Sequence, residues 1–197
     1  MEKKLEKIKQ QVIECTKCEL SQTRNNSVPG KGNFKADVIF VGEAPGKNED
    51  LKGEPFIGIA GKKLSIALES AGITREEVYI TNIVKCRPPK NRVPTSIERE
   101  TCQNYLKKEI EIIEPKIICI LGNTAFSSLL DGKEITKFRG KVVSKNNQLY
   151  FLTVHPAATI YNQKLIDVLK KDMKKLFKLI KELKDKKKIK IDIEYTS

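Results

Sequence analysis

Tryptophan is absent from this 197-residue chain, histidine occurs once, and aromatic side chains make up only 6% of its positions. Missing too is any apolar run near the ~20 residues that a membrane-spanning helix needs. The opening residues, Met1-Glu2-Lys3-Lys4, lack the hydrophobic region of a secretory signal. These absences lead us to expect a soluble, cytoplasmic protein with no membrane contact. No internal repeat and no dividing linker is present, so the length suits one domain with a sizeable core. The want of Trp beside abundant Lys, Glu and Ile fits a thermophile, and fits an AT-rich genome equally well.

Charge of one sign dominates. Lys and Arg number 38 against 25 Asp and Glu, a net +13, and the sequence pI is about 9.5. Such an excess points to a polyanionic partner, most simply nucleic acid. The excess is uneven: from Lys164 to Lys190, twelve Lys stand against four Asp or Glu, +8 in that segment alone. Leu165, Leu169, Leu176, Ile180 and Leu183 recur there at helical spacing, which puts the lysines on the opposite, wet face. That face serves either as a DNA contact or as a solvated surface.

Strand and helix signals alternate elsewhere. Leu5, Ile8, Val12 and Ile13 mark a short amphipathic helix leading into Cys15-Thr16-Lys17-Cys18, and a polar loop follows over 21–35. Strands are expected over 38–41, 78–84 and 116–121. Helices are expected over 61–71, where Gly72 stops it, over Ser96–Ile113 and over 124–130. The long helix has Ser96 as its expected N-cap, with Arg99 where a capping box would prefer Glu. Val142-Val143 and 149–154 read as a hairpin around Asn146-Asn147, and a helix over 164–184 closes a domain of residues 1–185. Beyond it, Ile189, Ile191, Ile193 and Tyr195 alternate with charged residues, so 186–197 is either a basic tail or an edge strand. The order implies an α/β fold: three αβα layers around a mostly parallel central sheet.

Two motifs follow expected strands. Asp37-Val38-Ile39-Phe40-Val41 empties into Gly42-Glu43-Ala44-Pro45-Gly46, and the apolar stretch ending at Val154 empties into His155-Pro156-Ala157-Ala158. Open α/β folds build active sites on loops at the carboxyl ends of strands, so an acid and the sole imidazole are expected at one sheet edge. A lone His is ordinarily a surface or core residue without a task; pairing with the Glu43 motif singles this one out. The Glu43 motif is not a phosphate loop. Three residues separate Gly42 from Gly46 where that loop has four, Asn48 stands where Ser or Thr must hold magnesium, and Glu43 would repel phosphates.

The five cysteines divide into four and one. Cys15 and Cys18 form a Cys-x-x-Cys pair, Cys86 lies at a strand end and Cys102 near the start of the next helix. A disulfide framework does not suit an intracellular protein of this size, and a thioredoxin-like pair would follow a strand and open a helix, whereas this one ends a helix. Four thiolates suit a metal centre, and spacing alone allows zinc and an iron–sulfur cluster equally. Cys119, inside Ile117-Ile118-Cys119-Ile120-Leu121, reads as a small buried hydrophobe with no ligand role.

Together these residues resemble the family 4 uracil-DNA glycosylases, which carry an iron–sulfur cluster. Gly42-Glu43-Ala44-Pro45-Gly46 is similar to their first motif and His155-Pro156-Ala157-Ala158 to their second. Gly53-Glu54-Pro55-Phe56-Ile57-Gly58, Thr81-Asn82-Ile83-Val84-Lys85-Cys86-Arg87-Pro88-Pro89 and Asn91-Arg92 with Pro94 follow in the family's order. The likeness runs from about Cys15 to Ala158. It implies a uracil-DNA glycosylase-like fold of archaeal or bacterial thermophile type, and a [4Fe–4S] cluster rather than zinc on Cys15, Cys18, Cys86 and Cys102. It implies a DNA repair enzyme, nucleoid-associated, that flips uracil out of single- or double-stranded DNA and hydrolyses its N-glycosidic bond, leaving an abasic site. A monomer is expected.

The resemblance also implies roles. Phe56 would stack on the base. Asn82 would accept from uracil N3–H and donate to O4, where cytosine presents the opposite pattern; a mismatch leaves buried polar groups unpaired, at about 1–3 kcal/mol each. His155, a neutral donor to O2, would stabilise the leaving anion with backbone N–H groups of Gly42 to Ala44. Glu43 would orient or activate the water and offset the sugar's cation. The cluster would be architectural, placing Lys85 and Arg87 near the DNA.

Departures from the pattern are informative. Four residues after the histidine, related glycosylases wedge a Leu into the gap left by the flipped base; here Thr159 stands there, followed by Ile160 and Tyr161. Where others exclude thymine with a Tyr, this chain has Gly46, so Glu43 or its neighbours must block the methyl group. A relative that captures uracil through a His in an inserted basic loop is a poor match, since neither loop nor second His is present. The alternative is a non-catalytic iron–sulfur or zinc DNA-binding module, which would need none of Glu43, Phe56, Asn82 and His155.

Overall fold

Val38 and Phe40 face one side of a sheet, Ile39 and Val41 the other, and both sides are buried. A strand covered on both faces is apolar throughout rather than alternating, as are β2 (Val38–Gly42) and β4 (Ile117–Leu121). A computed structural model describes residues 1–195. Within them the helices are α1 (Glu2–Ile13), α2 (Leu20–Thr23), α3 (Lys47–Lys52), α4 (Ile59–Glu69), α5 (Ser96–Ile113), α6 (Asn123–Leu130), α7 (Ile135–Phe138), α8 (Ala158–Tyr161) and α9 (Lys164–Lys184). The remaining strands are β1 (Lys31–Gly32), β3 (Tyr79–Asn82), β5 (Val142–Lys145), β6 (Gln148–Thr153) and β7 (Ile193–Tyr195).

The sheet order is β1-β3-β2-β4-β6-β5-β7, with β3, β2, β4 and β6 mutually parallel. β1 and β5 run antiparallel to their neighbours, and β7 pairs parallel to β5. Ile8 and Val12 of α1, Leu106 of α5 and Phe126 of α6 pack on one face. Leu64 and Leu68 of α4 and Leu169, Met173, Leu176 and Ile180 of α9 pack on the other. The three αβα layers are those expected from the sequence.

Several boundaries differ. The N-cap of α5 is Thr95, one residue before the expected Ser96. Its Oγ1 accepts from the Glu98 amide at 3.2 Å, and Glu98 Oε2 accepts from the Thr95 amide at 2.7 Å, a complete capping box in which Arg99 has no part. The loop after Gly46 contains the unexpected helix α3. Asn146 and Asn147 both have positive φ (51° and 61°), as a two-residue hairpin of primed type requires. Of the two readings of the C-terminal segment, 193–195 adopts the edge strand, with Val143 opposite Ile193; 186–192 leads into it without strand or helix, and 196–197 lie outside the described residues.

This topology brings four strand ends to one edge. The chain passes from β2 to β3 on one side and then to β4 on the other, and a crevice forms where strand order reverses. Gly42 lies opposite Asn82 in the register, and Leu121 opposite Thr153. Helix α9 runs back from this edge: near its far end Lys184 Nζ pairs at 2.7 Å with Asp37, the residue before β2. Among the described residues no helix is long and apolar enough to cross a membrane.

Candidate active site

A cavity of about 430 Å³ opens at that edge, lined by Glu43, Ala44, Gly46, Phe56, Asn82 and His155, with Glu49, Arg92 and Tyr161 also in its wall. The residues singled out from sequence thus meet in one place, although they span more than a hundred positions. Gly42 does not line the cavity but lies behind it. A Cβ there would sit 2.5 Å from Phe56 Cζ and 2.6 Å from Asn82 Oδ1, so the glycine lets both side chains close over bare backbone.

Phe56 is buried and has φ of 53°, a left-handed conformation costly for a bulky residue. The surroundings impose it. Arg75 Nη2 donates to the Pro55 carbonyl at 3.0 Å, and α4 approaches so closely that a Cβ on Gly61 would lie 1.7 Å from the Phe56 carbonyl oxygen. Glu49 holds the same loop from the other side: its Oε1 accepts from the amides of Ile57 (2.9 Å) and Gly58 (2.6 Å), and its Oε2 from that of Gly46 (3.2 Å). The Phe56 and His155 rings lie 5.7 Å apart between centroids, tilted by 35°.

His155 follows β6, and its ring packs beside Gly122 at the end of β4, where φ is 90° and a Cβ would lie 2.9 Å from the His155 Cβ. Nδ1 accepts from the Ala157 amide at 3.1 Å, so the proton of the neutral ring is on Nε2. Burial pushes the imidazole down to about 4, which keeps it uncharged at neutral pH. Glu43 is half-buried, and Oε2 accepts a hydrogen bond from Thr124 Oγ1 at the start of α6. Asn82 is 1% exposed, yet among the described residues its Oδ1 has no hydrogen-bond partner. A buried amide oxygen left unpaired costs about 1–3 kcal/mol, which a ligand N–H can recover.

Cys15, Cys18, Cys86 and Cys102 line a second, smaller space between α1, α5 and the end of β3. Arg24 Nη1 donates to Cys86 Sγ at 3.0 Å, and the Lys85 amide to Cys102 Sγ at 3.3 Å. Such N–H donors suit sulfurs that carry negative charge as metal ligands. Burial raises the Cys86 thiol and pushes that of Cys102 up to about 12, so a metal would have to displace the protons. Among the described residues no group of three or more His, Cys, Asp or Glu converges on a single metal ion; the four thiols instead surround a space between elements, as ligands to the separate irons of a cluster do. Cys119 lies apart, fully buried within β4.

One detail departs from the sequence reading, and two others narrow alternatives it left open. Lys85, expected near DNA, is 1% exposed and ion-paired to Glu109 at 2.7 Å; only Arg87 of that pair reaches the rim loop, where its Nε donates to Asn91 Oδ1 at 2.7 Å. Thr159, where related glycosylases carry a wedging Leu, is buried, with Oγ1 bonded to the Pro156 carbonyl, and the side chains exposed after it are Ile160 and the 92% exposed Tyr161. The far half of the basic helix lies at the edge opposite the cavity. Thr124 and Glu49 were not anticipated, since nothing local marks a helix-start Thr or a loop Glu as a partner of residues elsewhere in the chain.

A family model described as the Uracil DNA glycosylase superfamily matches residues 29–184. The chain is 48% identical to the Type-4 uracil-DNA glycosylase of Sulfurisphaera tokodaii over 89% of its own length and 84% of that protein. It is 44% identical to the protein of the same name from Archaeoglobus fulgidus, over 89% and 92% of the two chains. It is 42% identical to that of Thermotoga maritima, over 92% and 97% of the two chains.

Proposed function

The chain belongs to the uracil-DNA glycosylase superfamily, and we propose that its cavity receives a uracil flipped out of DNA and cleaves the N-glycosidic bond. It is a uracil-removing DNA repair glycosylase; the assignment of roles to residues is our own. The observation that carries it is the buried, unpartnered Oδ1 of Asn82, set in a wall that also holds Phe56 and His155. Uracil N3–H supplies the donor this oxygen lacks, whereas cytosine presents an acceptor there.

Cleavage moves the electron pair of the C1′–N1 bond onto uracil N1 and O2 and leaves positive charge on the sugar. Neutral His155 donates Nε2–H to O2, and the fixed donor costs no reorganisation as charge develops. Glu43, held by Thr124, offsets the sugar's charge and orients a water whose oxygen bonds to C1′. The water's proton passes by way of Glu43 and ends on the released uracil anion. Phe56 stacks on the base, its ring fixed by the strained backbone. Gly46 leaves room beside C5, and the nearby Glu49 carboxylate and Glu43 narrow that space against a methyl group.

The four thiols and the two N–H donors beside their sulfurs fit a [4Fe–4S] cluster on Cys15, Cys18, Cys86 and Cys102. When bound, the group supplies four iron–thiolate bonds that tie the N-terminal segment to the end of β3 and to α5. The substrate is DNA of either strandedness, and the protein acts as a monomer. Duplex DNA requires flipping, at a cost of a few kcal/mol, which phosphate contacts by the basic surface offset. The test is to incubate the purified protein with a uracil-containing oligonucleotide and treat it with alkali. Strand cleavage at the uracil is expected; DNA binding without cleavage would favour a non-catalytic module.

A further inference from the structure

A lysine and a glutamate lie fully inside the protein next to the base-reading residue. Lys85 and Glu109 are each 1% exposed, and Nζ and Oε2 are 2.7 Å apart. Burying two ions costs several kcal/mol each, and apolar residues of similar volume often serve stability as well or better. The pair therefore calls for a reason beyond stability, and its hydrogen bonds supply one. Lys85 Nζ has three donors: one goes to Glu109, one to Thr81 Oγ1, and one to the main-chain carbonyl of Asn82 at 3.1 Å.

Among the described residues that carbonyl has no strand to bond on its side. The edge strand β1 covers β3 only at Tyr79 and Ile80, and stops two residues short of Asn82. On the other side the register with β2 continues to Gly42, and the Ile83 amide bonds the Gly42 carbonyl at 2.9 Å. The Lys85 ammonium stands where a neighbouring strand would place an N–H. Lys85 is itself anchored through its main chain: its amide donates to Cys102 Sγ at 3.3 Å and its carbonyl accepts from Val28 at 2.7 Å. Glu109 is anchored in turn, its Oε1 accepting from the Gly30 amide at 3.1 Å and from Tyr79 OH at 3.3 Å.

We propose that Lys85 is a positioning residue: by holding the Asn82 carbonyl it fixes the direction of the Asn82 side chain, and so the geometry of base reading. The inference rests on Asn82 reading the base; uracil excision by the wild-type protein, and its loss in Asn82→Ala, test that reading separately.

Three variants in the network separate positioning from stability. Lys85→Met removes the bond to Asn82, while Glu109→Gln and Thr81→Val loosen the same network and spare that bond. Thermal midpoint, affinity for undamaged DNA and single-turnover uracil excision are measured for each, with excision taken well below the midpoint. All three should melt earlier, and all should bind undamaged DNA as the wild type does. Excision should fall about tenfold to a hundredfold in Lys85→Met alone, the rate equivalent of losing one hydrogen bond from a charged donor. If Lys85→Met does not fold because Glu109 is left uncompensated, the double variant Lys85→Met/Glu109→Leu removes that charge and carries the same expectation. Wild-type excision in the folded Lys85 variant, or an equal loss in Thr81→Val and Glu109→Gln, would overturn the proposal.

Discussion

Asn82 Oδ1 and the Cα of Gly42 face each other with no room for a methyl group: a Cβ on Gly42 would sit 2.6 Å from that oxygen and 2.5 Å from the ring of Phe56. Gly42→Ala must therefore displace both side chains that hold the base. Excision should fall steeply, while overpacking costs about 1–3 kcal/mol of stability and leaves the fold intact. Single-turnover rates beside thermal melts check this. Normal excision in the variant would mean that the pocket is not built as described.

His155→Ala should slow the single-turnover reaction by about 2.7–4 kcal/mol, the scale for losing one donor to a developing anion. Affinity for DNA should barely change, because phosphate contacts dominate it. With the imidazole held down at about 4, excision should not decline as pH is lowered through the ordinary histidine range near 6.5. Folding stability should decline there: between about 6.5 and 4 the unfolded chain takes up a proton that the folded ring refuses, so stability is lost as pH falls. In His155→Ala that component of the slope should vanish. A rate that drops near pH 6.5 in step with imidazole protonation would contradict the buried, neutral donor.

How much of this was legible beforehand depended on whether the cause is local. The strands Val38–Gly42 and Ile117–Leu121 announce themselves through unbroken apolar runs, and helix α9 through its period. His155 and Glu43 were traceable because each follows such a strand, and parallel strands end at one edge. What escaped depends on distant partners. Lys85 reads as a surface cation until Glu109, from a helix beyond the cysteine loop, is seen to neutralise it. Glu49 reads as one more loop acid, yet three amides from two separate turns converge on it. The cap of α5 was misplaced by one residue because Thr95 and Ser96 are both good caps, and only Glu98 at the third helical position decides between them.

Cys86→Ser should yield protein without the visible absorption and brown colour of a thiolate-bound iron–sulfur cluster, and Cys119→Ser should retain them. Cys119 is sealed within β4, away from the other four sulfurs. Iron and sulfide analysis of anaerobically purified protein checks both variants. Stoichiometric zinc without iron or sulfide in the wild type would overturn the cluster assignment.

The basic helix makes a quantitative prediction. At 1.5 Å per residue, Lys174, Lys178 and Lys181 lie about 15 to 25 Å along α9 from its cavity end, beyond the ~8–10 Å over which salt screens exposed charge. Replacing all three with Gln should leave the salt dependence of binding to a short uracil-containing duplex unchanged. A logarithmic slope shallower by about three, one phosphate contact per lysine, would show that DNA reaches the far edge.

The most direct test of base recognition is Asn82→Asp. A carboxylate loses the donor to uracil O4 but can accept from the amino group of cytosine, and when protonated it can donate to N3. Excision is measured from matched oligonucleotides carrying uracil or cytosine, across a pH series. Uracil excision should fall steeply, with weak cytosine excision emerging toward low pH, where the protonated acid is populated. Full uracil activity in the variant would contradict the reading of the base by Asn82.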